Sequence, residues 1–225
     1  MVEVKNIQKK YGKKTVLQNI SFSVENGEMV ALIGPNGCGK STLLQIMAGC
    51  LTADQGEVWY YSKKANAPAV YRKYTGYVPQ ENPFMEQLSV KDNLKLWKKG
   101  TSSQLEEAIH TFQLEEILNQ KVEALSGGMK RRLAIACALM NQPPVILLDE
   151  PTTALDFAHK AKIYELLDAH RKQNGIVILA THEEEEIRNA DRILLMRQGI
   201  LTEVNKDDIS KEMLIHIYNE EGKGV

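Results

Sequence analysis

No stretch of this chain stays apolar long enough to cross a bilayer. The longest unbroken run, Leu133 to Met140, falls far short of the ~20 residues a membrane helix needs. The start, Met1-Val2-Glu3-Val4-Lys5, has no apolar segment of the kind that makes a signal peptide. The chain is therefore expected to be soluble, and any work at a membrane would need another chain to supply the spanning part. Charge of one sign is also lacking: the formal net charge is −1, and no long basic block occurs. That argues against nucleic acid or anionic lipid as the main partner. Cysteine is scarce. Cys38, Cys50 and Cys137 are odd in number and have no metal-like spacing, which excludes a disulfide framework and suits a reduced, cytosolic compartment. Internal repeats and low-complexity segments are missing too. The 225 residues fit one domain with room for an inserted subdomain, and burial of roughly 70–75% of the unfolded surface gives a core that needs no staples.

What is present is organised around Gly34 to Thr42, GPNGCGKST. The apolar run Met29 to Ile33 before it has the length and composition of a buried strand. Leu43 to Ala48 after it has the apolar density of a helix packed on a sheet. Strand, glycine-rich loop and helix form the context in which G-x-x-x-x-G-K-[ST] cradles phosphates. Gly34, Gly37 and Gly39 allow positive φ and inward-facing N–H groups, and the following helix N-terminus favours an anion. The candidate cradle comprises Gly34, Pro35, Asn36, Gly37, Cys38, Gly39, Lys40, Ser41 and Thr42. Lys40 is placed to reach the β- and γ-phosphates and the Ser41 hydroxyl to hold Mg²⁺. The loop is read as a nucleoside triphosphate site.

Elsewhere, residues 2–33 read mostly as strands, with two-residue spacing at Val2/Val4 and Ile20/Phe22/Val24. Gly56 to Tyr61 reads as another strand, and Tyr77-Val78-Pro79-Gln80 ends a short extended run. A helical pattern then runs to about Met140. Ser89 with Asp92 starts one helix, Leu105, Ile109 and Phe112 mark a second, and a third extends from near Gly128. After Pro143-Pro144 strands are expected at Val145 to Leu148, Ile176 to Ala180, Ile193 to Met196 and Ile200 to Val204. Helices are expected at Phe157 to Arg171 and Glu183 to Asn189. The pattern is a parallel α/β core with a helical insert.

Val145-Ile146-Leu147-Leu148-Asp149 closes an apolar strand with a carboxylate that can hold Mg²⁺ beside phosphates. Glu150 follows at once and is placed to take a proton from attacking water. Leu125-Ser126-Gly127-Gly128-Met129 is a second glycine pair at a helix start, hence a second place for an anion, facing a different molecule. Two further motifs carry no function. Asn205-Lys206-Asp207-Asp208 matches the guanine-reading N-K-x-D, but the chain has no D-x-x-G switch. His182-Glu183-Glu184-Glu185-Glu186 lacks the second histidine of a zinc helix, and its glutamates suit a helix N-terminus.

LSGGM, GPNGCGKST, VILLDEP and His182 together resemble the nucleotide-binding subunits of ABC transporters, over nearly the whole chain. The resemblance implies an α/β fold in a single domain over 1–225: a P-loop NTPase core with a parallel sheet, an N-terminal antiparallel β subdomain and an α-helical subdomain inserted at about 81–141. It implies ATP and Mg²⁺ as cofactors, with Tyr11 stacking on adenine and Gln80 touching Mg²⁺ or the attacking water. Ser126, Gly127 and Gly128 complete the site of a partner subunit. Asp156, in Thr153 to Asp156, connects the two sites, and His182 contacts the γ-phosphate. Catalysis would then involve Glu150, His182, Lys40 and Gln80, with Ser41, Gln80 and Asp149 around the metal. The implied assembly is a homodimer or heterodimer of such chains on a separate integral membrane permease, peripheral on the cytoplasmic face, with no nucleic acid. Met129, where many members carry Gln, gives LSGGMKRR and resembles the exporter branch for antibiotics and lipids. Cys38 is expected to make the loop sensitive to thiol reagents. The competing class is an ABC-type ATPase acting on a soluble assembly.

Overall fold

The computed structural model describes residues 1–153 and 155–219. In chain order it has β1 (Val2–Tyr11), β2 (Lys14–Val24), β3 (Met29–Ile33), α1 (Lys40–Met47), β4 (Gln55–Tyr60), β5 (Lys63–Lys64), α2 (Pro68–Tyr74) and β6 (Thr75–Val78). Then follow α3 (Val90–Trp97), α4 (Ser102–Thr111), α5 (Gly127–Leu139), β7 (Val145–Asp149), α6 (Phe157–Lys172), β8 (Ile176–Ala180), α7 (Glu184–Asn189), β9 (Arg192–Arg197), β10 (Ile200–Val204) and α8 (Lys211–Asn219).

Two sheets form. The smaller has the order β2-β1-β4-β5 and is antiparallel throughout, as the alternation in the first residues suggests. The larger has the order β10-β9-β3-β8-β7-β6. Its strands from β9 to β6 are parallel, but β10 is antiparallel to β9, so the sheet is mixed rather than purely parallel. The cause is local. Gln198 (φ 48°) and Gly199 (φ 77°) both adopt left-handed backbone between these strands, the geometry of a two-residue hairpin that can only join antiparallel neighbours.

β3, β7 and β8 are buried at every position, which requires cover on both faces. Successive side chains point to opposite faces and so divide into two cores. Ala31, Ile33, Ile146, Leu148, Val177 and Leu179 pack with the helical residues Leu94, Leu133 and Ile163. Val30, Leu32, Leu147 and Ile178 pack with Leu43, Leu44 and Met47 of α1 and with the small sheet through Val2, Leu17 and Tyr60. The larger sheet is thus sandwiched between the antiparallel sheet with α1 and the helices.

Between β6 and β7 the chain is helical, and its starts are capped by side chains. Ser89 Oγ accepts from Asp92 N at 3.1 Å, Thr101 and Gln104 form a reciprocal capping box, and Ser126 Oγ accepts from Met129 N at 3.3 Å. Each cap satisfies an N–H that the helix itself leaves unpaired. Two helices lie outside the sequence-based expectations. One is α2, whose Tyr71 and Tyr74 pack against Tyr60 at ring-centroid distances of 6.3 and 6.1 Å. The other is α8.

Leu147 is fully buried in the middle of β7. Leu147→Ala is expected to lower the unfolding free energy by roughly 2–5 kcal/mol, read as a lower urea midpoint at unchanged slope. Leu96, 60% exposed, serves as control: Leu96→Ala should change it by less than about 0.5 kcal/mol.

Candidate functional site

The chain leaves β3 into the glycine-rich loop, where Gly34, Gly37 and Gly39 have φ of 144°, 72° and 117°. Gly34 is required twice over: its φ is positive, and a Cβ there would stand 2.1 Å from the Met196 carbonyl oxygen of β9. Gly39 closes the loop as the left-handed N-cap of α1. Lys40 begins that helix with only 8% exposure. Its ammonium donates to the carbonyl oxygens of Gly34 at 2.6 Å and Pro35 at 3.1 Å, which tethers a buried cation at the mouth of a helix.

Beside the loop lies a cavity of about 780 Å³. Tyr11, Asn36, Gly37, Gly39, Lys40, Ser41, Thr42, Gln80, Glu150 and His182 line it, joined by Val16 and Tyr218. Tyr11 comes from the end of β1, is 49% exposed, and has the Lys9 ammonium 5.7 Å from its ring centroid. Gly34, Pro35 and Cys38 belong to the loop without lining the cavity; the first two supply the carbonyls that hold Lys40.

The carboxylates come from the end of β7. Asp149 is 2% exposed; burial raises its pKa, opposed by a hydrogen bond from Ser41 and by the charge of Lys40, while Glu150 pushes the same way as burial. A cation beside Ser41 and Asp149 would relieve that desolvated carboxyl. Among the described residues no cluster of three or more His, Cys, Asp or Glu side chains forms a metal site. The oxygen donors of Ser41 and Asp149 are of the kind that suits a hard cation.

Glu150 has left-handed backbone at φ 50°, and its N–H donates to Ala180 O at 2.9 Å. Gln80 Nε2 donates to Glu150 Oε2 at 3.3 Å, and His182 Nδ1 lies 3.5 Å from Glu150 Oε1. Residues from the ends of β6, β7 and β8 thus meet on one carboxylate.

Other expected residues stand apart. Ser126 and Gly127 are exposed and Gly128 half-buried at the start of α5, and none of them lines this cavity. Asp156 is exposed and caps α6 by accepting from His159 N at 3.0 Å; Ala154 of the Thr153–Asp156 stretch lies outside the described residues. Cys38 is half-buried, and burial raises its thiol pKa, so less of it is the reactive thiolate and the expected thiol sensitivity is weakened. Asn205 Oδ1 accepts from Asp207 N at 3.2 Å, and Lys206 Nζ donates to Ala190 O at 2.9 Å. The N-K-x-D stretch is a self-satisfied turn.

Two residues at the site were not signalled by motif. Tyr218 of α8 donates its hydroxyl to Thr181 O at 2.8 Å and stands edge-on to the His182 ring at 6.4 Å. The apolar stripe Leu214, Ile217, Tyr218 at helical spacing could have placed it on a packed helix. Arg131, of α5, reaches the main chain around Pro79 and Asp149; a basic residue in a run of charge gave no such sign.

The ABC transporter family model matches residues 17–153. Among curated proteins, the chain is 35% identical over 216 residues to the sulfate/thiosulfate import ATP-binding protein CysA of Pseudomonas putida, covering 90% of this chain and 66% of that protein. It is 36% identical over 229 residues to the spermidine/putrescine import ATP-binding protein PotA of Spiroplasma citri, covering 98% and 63%. The chain thus spans slightly less than two thirds of either relative. Among solved structures, a dimeric ATP-binding cassette in a post-hydrolysis state bound to ADP and Pi superposes with a TM-score of 0.82 at 31% identity, covering 91% of this chain and 99% of that one. An ATP-binding subunit of an ABC transporter gives 0.85 at 26%, covering 96% and 98%.

Both curated relatives carry import in their names, so the exporter branch suggested by Met129 is not supported. That side chain packs partly against the helical core. Loop, strand-end carboxylates, a family match across 17–153 and an agreement of backbone along almost a whole solved cassette lead to one statement: the chain belongs to the ABC transporter family.

Proposed function

We propose that this chain binds MgATP in the cavity beside Lys40 and hydrolyses it to power a separate membrane-spanning subunit. The observation that carries the reading is the meeting of Gln80 and His182 on the Glu150 carboxylate, at 3.3 and 3.5 Å, in a cavity whose floor is the phosphate loop. Tyr11 offers a face for adenine, and the loop N–H groups with Lys40 hold the phosphates. Bound Mg²⁺, held by Ser41 and Asp149 with Gln80 beside it, would supply charge neutralisation at the phosphate oxygens. Glu150 takes the proton from the attacking water, Gln80 orients that water, and His182 contacts the γ-phosphate. Donors preset in this way typically contribute about 10²–10³ each in rate.

Ser126, Gly127 and Gly128 present helix N–H groups on a different, exposed face of the chain. Two copies, or this chain and a homologue, closing head to tail would bring that turn onto the partner's nucleotide. The similar solved cassette is itself dimeric, which supports this arrangement. Among the described residues no helix is long and apolar enough to cross a membrane; the proposal gives the spanning part to another subunit and sets this chain peripheral on the cytoplasmic face. Relatives named for import favour transport over a soluble assembly. Cargoes as unlike as sulfate and spermidine belong to proteins of nearly equal identity to this chain, which supports a choice of cargo made elsewhere.

Glu150→Gln is expected to bind ATP as the unaltered chain does, to lose turnover by at least about 10², and to accumulate as dimer in size-exclusion chromatography with ATP. Normal hydrolysis by that variant would remove Glu150 from the role of base. Chelation of divalent cations with EDTA should abolish phosphate release, and added Mg²⁺ should restore it. Co-purification from detergent-solubilised membranes should bring down a multi-span chain; a soluble complex in its place would favour the other class.

A further inference from the structure

Arg131 is a cation held out of water by main-chain carbonyls, with no carboxylate clasp among the described residues. It lies in the second turn of α5, only 4% exposed. Guanidinium groups this buried are normally paired with acids. Here the hydrogen bonds run to main-chain carbonyls: Nε donates to Pro151 O at 2.9 Å, Nη2 to Glu150 O at 2.7 Å and to Asp149 O, and Nη1 to Pro79 O at 2.5 Å. Burial lowers its pKa from the usual guanidinium value, opposed by the charges of Asp149, Glu186 and Glu150.

These carbonyls have a common problem. The β7 ladder ends where Asp149 pairs with Ala180, and on the other side β6 stops at Val78 opposite Leu148. Main-chain oxygens just past those points have left the sheet and need donors from elsewhere. Glu150 is more demanding still, because its left-handed backbone persists only where the surroundings over-determine it. A planar fork with five N–H groups reaches several carbonyls from one centre; a lysine ammonium, a point with three donors, does not reproduce that span.

We propose that Arg131 is a positioning residue for hydrolysis, locking the main chain at Pro79 and at Asp149 to Pro151 so that the Gln80 and Glu150 side chains meet at the reacting water. The proposal rests on the reading of Glu150 as the base. Pro79 immediately precedes Gln80, whose amide donates to the Glu150 carboxylate, so one guanidinium fixes both partners of that contact. It does so from the helix that starts at Ser126, Gly127 and Gly128, and the active geometry therefore depends on how that helix is seated. A displacement of about 1 Å at such loops is enough to cost on the order of 10² in rate.

The test compares Arg131→Gln, Arg131→Lys and Glu150→Gln in the full chain, measuring kcat, KM and the affinity for a fluorescent ATP analogue. Arg131 does not touch the phosphate loop, so analogue affinity and KM are expected to stay within about threefold, while kcat falls by about 10- to 100-fold for Gln. Lysine keeps the charge and some of the donors and should recover part of that loss, a graded response that mere scaffolding would not give. An unchanged kcat overturns the proposal, and so does an equal loss of analogue binding. Where Arg131→Gln fails to unfold cooperatively, Arg131→Lys carries the comparison: a lower kcat at retained affinity supports the proposal, and an unaltered kcat overturns it. If Glu150→Gln also turns over normally, the assignment of the base has failed; if only the Arg131 variants do, the positioning role alone has failed.

Discussion

Parallel strands that stop level at one edge of a sheet are the constraint on which this molecule depends. β3, β8, β7 and β6 lie side by side in the same direction, with Leu32 opposite Ala180, Asp149 opposite Ala180 and Val78 opposite Leu148. Their outgoing loops therefore emerge together. In such sheets ligands settle in the crevice beyond the strand ends. The glycine loop, Gln80, Glu150 and His182 are distant in sequence and adjacent in space for that reason alone. An antiparallel arrangement would send alternate loops to opposite edges.

Meeting there has an electrostatic cost. Lys40, Arg131 and Asp149 are all buried near the same edge, where charge is expensive unless paired or hydrogen-bonded. Each is met differently. Lys40 rests on carbonyls of its own loop, Arg131 on carbonyls of others, and Asp149 on the Ser41 hydroxyl with a raised pKa as the residue of incomplete compensation. Glu150 adds strained backbone. The apolar cores on the two faces of the sheet hold these groups in place, and the concentration of unfavourable features at one edge marks where the chemistry belongs.

The small sheet and the helices divide the remaining labour. Through Tyr11 and Val16 the antiparallel sheet contributes to the wall of the cavity. The helical segment between β6 and β7 carries the exposed Ser126 turn at one end of α5 and the Arg131 anchor a turn later. The Ser126 turn and Arg131 are thus mounted on one helix.

Much of this was legible in residue order. Buried strands announced themselves as continuous apolar runs, and β3, β7 and β8 appear where those runs stood. Ser89 and Asp92 marked a helix start because a cap is chemistry between near neighbours. The glycine-rich loop and the strand-end acids were visible because the work proposed for them needs fixed residue types at fixed spacing. β10 running against its neighbours, α2 and α8, Tyr218 against His182, and the reach of Arg131 were not visible. Backbone sign at Gln198 and Gly199, long-range packing of tyrosines, and hydrogen bonds from a side chain to main-chain carbonyls 18 to 52 residues away leave no periodic trace. Local chemistry is written along the chain, whereas a contact between remote segments exists only after the sheet has chosen its strand order.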